Sequence, residues 1–187
     1  MKLILASNSP RRQAMLQELG LSYEIRLQNI DESFANDLPP HEVPAMLSKR
    51  KAEAFISTLT DEEVVLTADT VVICEGKILN KPADATEAKE MLALLSGKKH
   101  TVVTAFSLSS KDKQISISDS TDVYFRDLTT IEISYYVEKY KPFDKAGSYG
   151  VQEWIGMTGI TRIDGSYFTV VGLPIHLVYE QLQNFKL

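Results

Sequence analysis

The chain has 187 residues, 44% of them hydrophobic and 24% charged, with a formal net charge of −5. That length fits one enzyme-sized domain able to bury its own core, and the ordinary composition excludes a disordered or low-complexity protein. The acidic balance gives no support to a groove for a DNA or RNA polymer, which is usually basic, but leaves small phosphorylated ligands open. A lone cysteine, Cys74, excludes an internal disulfide. With no basic region leading into a long apolar segment, the N-terminus reads as neither a signal peptide nor a membrane span, so the expected location is the cytoplasm.

Leu3 to Ala6 is an apolar run that reads as a buried strand, and Ser7-Asn8-Ser9-Pro10 breaks it before an apolar helical spacing at Met15, Leu16 and Leu19. Pro10 suits the first helical position and Ser9 the N-cap. The first-turn N–H groups, two hydroxyls and the guanidiniums of Arg11 and Arg12 together favour phosphate. Two arginines at a helix N-terminus oppose the helix dipole unless an anion or a carboxylate sits beside them.

Tyr23 to Leu27 reads as a short strand, and Gln28 to Pro40 as a loop carrying the adjacent acids Asp31 and Glu32. Glu42 to Leu59 has helical periodicity, with Val43, Met46, Leu47, Ala54, Phe55 and Leu59 on its apolar face. Lys51 falls on that face, whereas Lys49 and Arg50 point elsewhere; Lys51 either snorkels to the surface or reaches toward an anion.

Glu63 to Gly76 contains the apolar run of a central strand, interrupted by Asp69 with Thr70 beside it. A carboxylate there is either satisfied by backbone N–H groups or serves a functional cleft. Cys74 reads as a small buried hydrophobe. After the Glu75-Gly76-Lys77 turn, Lys81 and Pro82 precede a helix capped by Asp84, with Glu87 as its box partner, a face of Ala88, Met91, Leu92 and Leu95, and Gly97 at its end.

Thr101 to Ser109 and Gln114 to Phe125 read as paired strands, and Thr129 with Glu132 opens a helix that faces inward through Ile133, Tyr136, Val137 and Tyr140. Asp144 to Gln152 is a polar, glycine-rich loop open to close ligand approach. Ile160 to Ile163 and Tyr167 to Val171 flank Asp164-Gly165 as a hairpin would, and a last helix presents Ile175, Val178, Tyr179 and Leu182. Alternating strands and helices predict an α/β fold with a mixed sheet flanked by helices.

Six segments, in order, carry more than spacing: Ser-Asn-Ser-Pro-Arg-Arg (7–12), Ser-Lys-Arg-Lys-Ala (48–52), Ala-Asp-Thr-Val-Val (68–72), Lys-Pro (81–82), Asp-Lys-Ala-Gly-Ser-Tyr-Gly-Val-Gln (144–152) and Val-Val-Gly-Leu-Pro (170–174). Together they closely resemble the Maf family of nucleoside triphosphate pyrophosphatases over nearly the whole chain, 1–187. The resemblance implies an inosine-triphosphatase-like fold with a deep cleft, a divalent cation (Mg²⁺ or Mn²⁺), and hydrolysis of a nucleoside triphosphate to the monophosphate and pyrophosphate. It makes Asp69 the proton acceptor. Asp69 and Glu32 are the expected metal ligands, and Ser7, Ser9, Arg12, Lys51 and Lys81 the phosphate cradle.

Members of the family acting on dTTP and UTP match this chain at Arg11, Thr70 and Gln152, whereas the 7-methyl-GTP branch carries an aromatic residue at the first position and a glutamate at the last. The expected substrates are therefore dTTP and UTP, with modified nucleotides as further candidates for a house-cleaning role. The family's name reflects a septum phenotype. That leaves as the alternative a nucleotide-binding regulator of cell division without turnover. The expected partner is a small nucleotide and not a nucleic-acid polymer or a membrane; a homodimer is common in families of this size.

Overall fold

The first strand, β1 (Lys2–Leu5), is apolar on both faces because both are covered: Leu3, Ile4 and Leu5 are buried. It pairs in parallel with β2 (Tyr23–Ile25) on one side and β3 (Glu63–Cys74) on the other, in the register Leu3↔Val64, Ile4↔Val65 and Leu5↔Leu66. A computed structural model of the chain describes residues 1–185. Its seven-stranded sheet has the order β2-β1-β3-β5-β6-β7, with β5 at Lys99–Ser109, β6 at Gln114–Phe125 and β7 at Ile160–Asp164. β4 (Lys77–Leu79) pairs antiparallel with β3, and β7 antiparallel with β6, so the sheet is mixed. The β3–β4 turn is made by Glu75 (φ 50°) and Gly76 (φ 76°), the left-handed pair that a two-residue hairpin requires.

The chain forms two compact units. One holds residues 1–70, 104–119 and the segment from Gly172; the other holds 71–103 and 120–171. In the first unit, β1 leads into α1 (Pro10–Glu18), which buries Met15 and Leu16, and α2 (Val43–Glu53) buries Val43, Leu47 and Ala52. Ile4, Ala52, Phe55, Leu59 and Val65 form one core cluster there. The closing helix of this unit, α7 (Ile175–Leu182), buries Ile175, Val178 and Leu182.

In the second unit, α3 (Ala85–Leu95) is capped by Asp84, whose Oδ1 accepts from the N–H groups of Thr86 and Glu87 at 2.8 and 2.9 Å. α4 (Thr130–Tyr140) has a full capping box between Thr129 and Glu132 and ends on Lys141 in the left-handed region. The faces of the two helices supply Ala88, Met91, Leu92, Leu95, Ile133, Tyr136 and Val137 to a core that also takes Val123, Phe125 and Ile155.

Several expectations are corrected. The periodic stretch 42–59 is not one helix: α2 stops at Glu53 and a single 3₁₀ turn (Ile56–Thr58) follows, which brings Phe55 and Leu59 inward by a different route. Glu87 reaches back to the N–H of Ala83 rather than to that of the cap residue. Tyr167–Val171 is a short helix, α6, not the second strand of a hairpin. β7 already has β6 as its partner, and Gly165, at φ 129°, turns the chain so that Thr121 Oγ1 donates to the Ser166 carbonyl at 3.0 Å. A short helix at Trp154–Gly159, α5, is not among the elements that spacing and composition predict. Tyr179 is more than half exposed, so α7 buries a narrower stripe than its sequence presents.

Candidate functional site

The motif after β1 lies at the carboxyl end of a parallel strand, where α/β sheets present ligands. Pro10 occupies the first helical position of α1 and Ser9 the N-cap, but the Ser9 hydroxyl makes no cap hydrogen bond. Its N–H donates instead to Ser7 Oγ at 3.2 Å, folding the turn on itself. Arg11 and Arg12 are half-buried on the first turn.

Arg12 is the anchor of this turn. Its Nε donates to the Gly172 carbonyl at 2.9 Å, Nη1 to the Ala68 carbonyl at 2.8 Å and to Ser7 Oγ at 3.4 Å, and Nη2 to Thr70 Oγ1 at 3.3 Å. At least four of its five N–H groups are thus taken by protein oxygens. Desolvation pulls its pKa down to about 10, with Asp69 opposing and the like charge of Arg11 adding to the fall, so it remains a cation at neutral pH. Thr70 Oγ1 also bonds Thr104 Oγ1 at 2.9 Å, which fixes the hydroxyl beside Asp69. Thr104 carries no sequence signal for this arrangement, and Gly172, although it lies in the Val-Val-Gly-Leu-Pro segment, meets Arg12 through tertiary structure alone.

Asp69 interrupts the apolar run of β3, and its partner is a side chain rather than the backbone. Lys51 Nζ lies 2.7 Å from Asp69 Oδ1 and 2.7 Å from Glu32 Oε1. The lysine and the aspartate side chains are only 17% and 15% exposed, whereas Glu32, on its loop, is 57% exposed. Lys51 is therefore not a snorkelling residue; it draws two carboxylates from segments far apart in sequence onto one ammonium group. Lys49, on the solvent side of the same helix, pairs with Glu53 at 4.0 Å.

Asp69 and Glu32 are hard oxygen donors of the kind that Mg²⁺ and Mn²⁺ take. Among the described residues no group of three or more His, Cys, Asp or Glu is arranged to hold a metal by itself. Two carboxylates do fit the usual way of binding Mg²⁺, in which one or two carboxylates and the phosphates of a substrate share the ion.

In the second unit, Lys81 is exposed on the segment between β4 and α3, just ahead of the buried Pro82. The 144–152 loop is internally tied. Gly147 holds φ 67° with the side chain of Val72 so close that a Cβ would lie 2.9 Å from it, and the Gly147 N–H donates to the Asn80 carbonyl at 3.3 Å. Lys145 is buried and paired with Asp144 at 2.8 Å and Glu153 at 3.1 Å. Tyr149 Oη and His100 Nε2 are 2.7 Å apart, both buried. Gln152, at the loop's end, is exposed and lines an open cavity of about 610 Å³ with Met157, Ile160, Arg162 and Tyr167 among its other walls.

No helix among the described residues is long and apolar enough to cross a membrane. Among solved structures the fold is similar to that of the Staphylococcus aureus Ham1 protein, with a TM-score of 0.56 at 14% identity, covering 99% of this chain and 100% of that one. Sequence relatives are far nearer. The dTTP/UTP pyrophosphatases of Christiangramia forsetii and Bacteroides fragilis are each 48% identical, over 98% of this chain and 93% and 95% of theirs. That of Parabacteroides distasonis is 43% identical over 98% of this chain and 96% of its own. The Maf-like protein family model matches residues 2–185, and the chain belongs to the Maf family.

Proposed function

We propose that this protein hydrolyses nucleoside triphosphates, dTTP and UTP foremost, to the nucleoside monophosphate and pyrophosphate, with residues 1–187 acting as one Maf-type domain in the cytoplasm. The observation that carries the reading is Lys51 of α2 held between Glu32 of its loop and Asp69 of β3, a strand whose Ala68 carbonyl also receives Arg12. The names of the relatives supply the substrate. Arg11, Thr70 and Gln152, which the dTTP- and UTP-acting branch shares, are the proposed readers of the base.

Hydrolysis at the α-phosphorus needs an activated water and a place for the charge that builds on phosphate oxygens. Asp69 is the proposed base, since Lys51 Nζ orients it through Oδ1 at 2.7 Å. Ser7, Ser9, Arg12, Lys51 and Lys81 are the proposed phosphate cradle. With most of its donors committed to protein oxygens, Arg12 acts chiefly as a fixed positive charge and as the brace of the turn. A divalent ion, when bound with the nucleotide, supplies Lewis-acid stabilisation of the triphosphate; Asp69 and Glu32 are the residues that would hold it.

The test is release of pyrophosphate from a panel of nucleotides by purified protein, with and without Mg²⁺. An Asp69→Asn protein keeps the shape of the side chain while removing the charge, and should lose turnover by about 10²-fold or more with its fold intact. Turnover near wild type would refute the role.

A further inference from the structure

We infer that Arg50 is a positioning residue that sets Glu32 beside Lys51 and Asp69 by gripping the loop backbone on both sides of it, a conclusion that rests on the proposed part of Glu32 in nucleotide hydrolysis. Residues 26–39 contain neither helix nor strand and none of them is buried, so packing does not hold the Glu32 carboxylate in place. An ion pair to a carboxylate as exposed as this one is weak by itself.

Arg50 supplies the missing constraint. Its Nη1 donates to the Asp31 carbonyl at 2.9 Å and to the Ser33 carbonyl at 2.6 Å, the two peptide oxygens that flank Glu32. The same turn is closed by Asp31 itself, whose carboxylate accepts from Ser33 N–H at 2.9 Å and Ser33 Oγ at 2.7 Å. Consecutive helix positions are turned by about 100°. Arg50 can therefore address the loop's main chain while Lys51 takes its side chain and Asp69. Adjacent residues of α2 thus divide the work, and the acid reaches the lysine with its backbone already ordered.

Arg50→Met keeps the unbranched stem and the helix propensity while deleting the donors. Two measurements test the inference. Hydrogen–deuterium exchange should show the amides of residues 31–34 exchanging at least tenfold faster in R50M, with α2 unchanged; this arm reads the grip without reference to any reaction. Mn²⁺ titration in the presence of α,β-methylene-dTTP, followed by the signal of free Mn²⁺, should show R50M weakening the ion's binding severalfold. Glu32→Gln should weaken it at least as much, and R50M/E32Q no more than E32Q alone, because a residue acting through Glu32 has nothing left to position. Unchanged exchange at 31–34 overturns the inference, as does an R50M effect that persists in full in the E32Q background. Failure of wild-type protein to release pyrophosphate would instead refute the hydrolase reading, and the exchange measurement would still decide whether Arg50 orders the loop.

Discussion

Lys51 neutralises two acids that would otherwise repel each other, and that sets what its removal does. Lys51→Met preserves the stem that α2 packs but leaves Asp69, a mostly buried carboxylate, beside Glu32 with no cation between them. The expected outcome is a loss of kcat/KM for dTTP of tenfold or more together with a lowered melting temperature; an unchanged kcat/KM would mean that the lysine is only a structural counter-ion. Gln152 allows a test of specificity. Its neutral amide both donates and accepts, whereas Gln152→Glu can only accept when ionised and brings a negative charge toward base carbonyls. kcat/KM for dTTP and UTP should fall by about 1–3 kcal/mol of transition-state binding while GTP and 7-methyl-GTP fall less. A uniform fall across the four nucleotides would assign Gln152 to the loop and not to the base. The sequence shows Lys51 on an inward face and Asp69 as an anomaly in a strand, but it cannot show that they meet. Eighteen residues separate them, and the seat of α2 on β3 brings them together, through Ala52 in the cluster of Ile4 and Val65 and through Thr67 Oγ1 donating to the Ser48 carbonyl at 2.6 Å.

The elements that carry the site are held by ordinary devices, and these were the most legible part of the chain. The Thr129–Glu132 box is reciprocal in the structure, with Glu132 also pairing with Arg126 at 2.7 Å. Thr129→Ala should cost about 1 kcal/mol and lower the melting temperature by roughly 2–4 °C without changing substrate preference; an unchanged melting temperature would mean that packing alone fixes α4. The caps at Asp84 and Thr129, the Pro10 start of α1 and the Glu75–Gly76 turn are local chemistry, which is why spacing and residue type reveal them. The misread elements are those decided at long range. Tyr167–Val171 has the β-branched and aromatic residues of a strand, yet the chain turns at Gly165, is tied at Ser166 to Thr121, and coils into α6 instead of pairing back on β7, the last strand in the sheet order. The 144–152 loop reads in sequence as polar, glycine-rich and open to a ligand, and its tethering by buried Tyr149, Lys145 and Gly147 is visible only in the structure.

At the scale of the whole molecule, buried ionisable groups set the pH range over which the fold survives. Burial pulls the pKa of His100 down to about 4, against 6.5 when unfolded, so between these values the unfolded chain takes up a proton that the native one refuses. Its contribution is present above pH 6.5 and is lost progressively as the pH falls toward 4, about 3 kcal/mol at most. His100→Phe, which fits among Phe125 and Tyr149, should flatten the decline of melting temperature between pH 6.5 and 4; an unchanged slope would mean that other groups govern it. Glu63, held to about 2 by Arg26 and the Thr60 N–H, and Glu132, held to about 2 by Arg126, contribute stability above pH 4.5 that disappears as the pH falls toward 2. These groups hold the scaffold, whereas the reaction turns on one bond of the substrate. Which bond breaks is read by incubating the protein with dTTP and Mg²⁺ in ¹⁸O-labelled water and weighing the products. Attack of water at the α-phosphorus yields dTMP carrying one ¹⁸O and unlabelled pyrophosphate, both formed about 10²-fold or more slowly by the Asp69→Asn protein; label in the pyrophosphate, or release of orthophosphate and dTDP, would refute it.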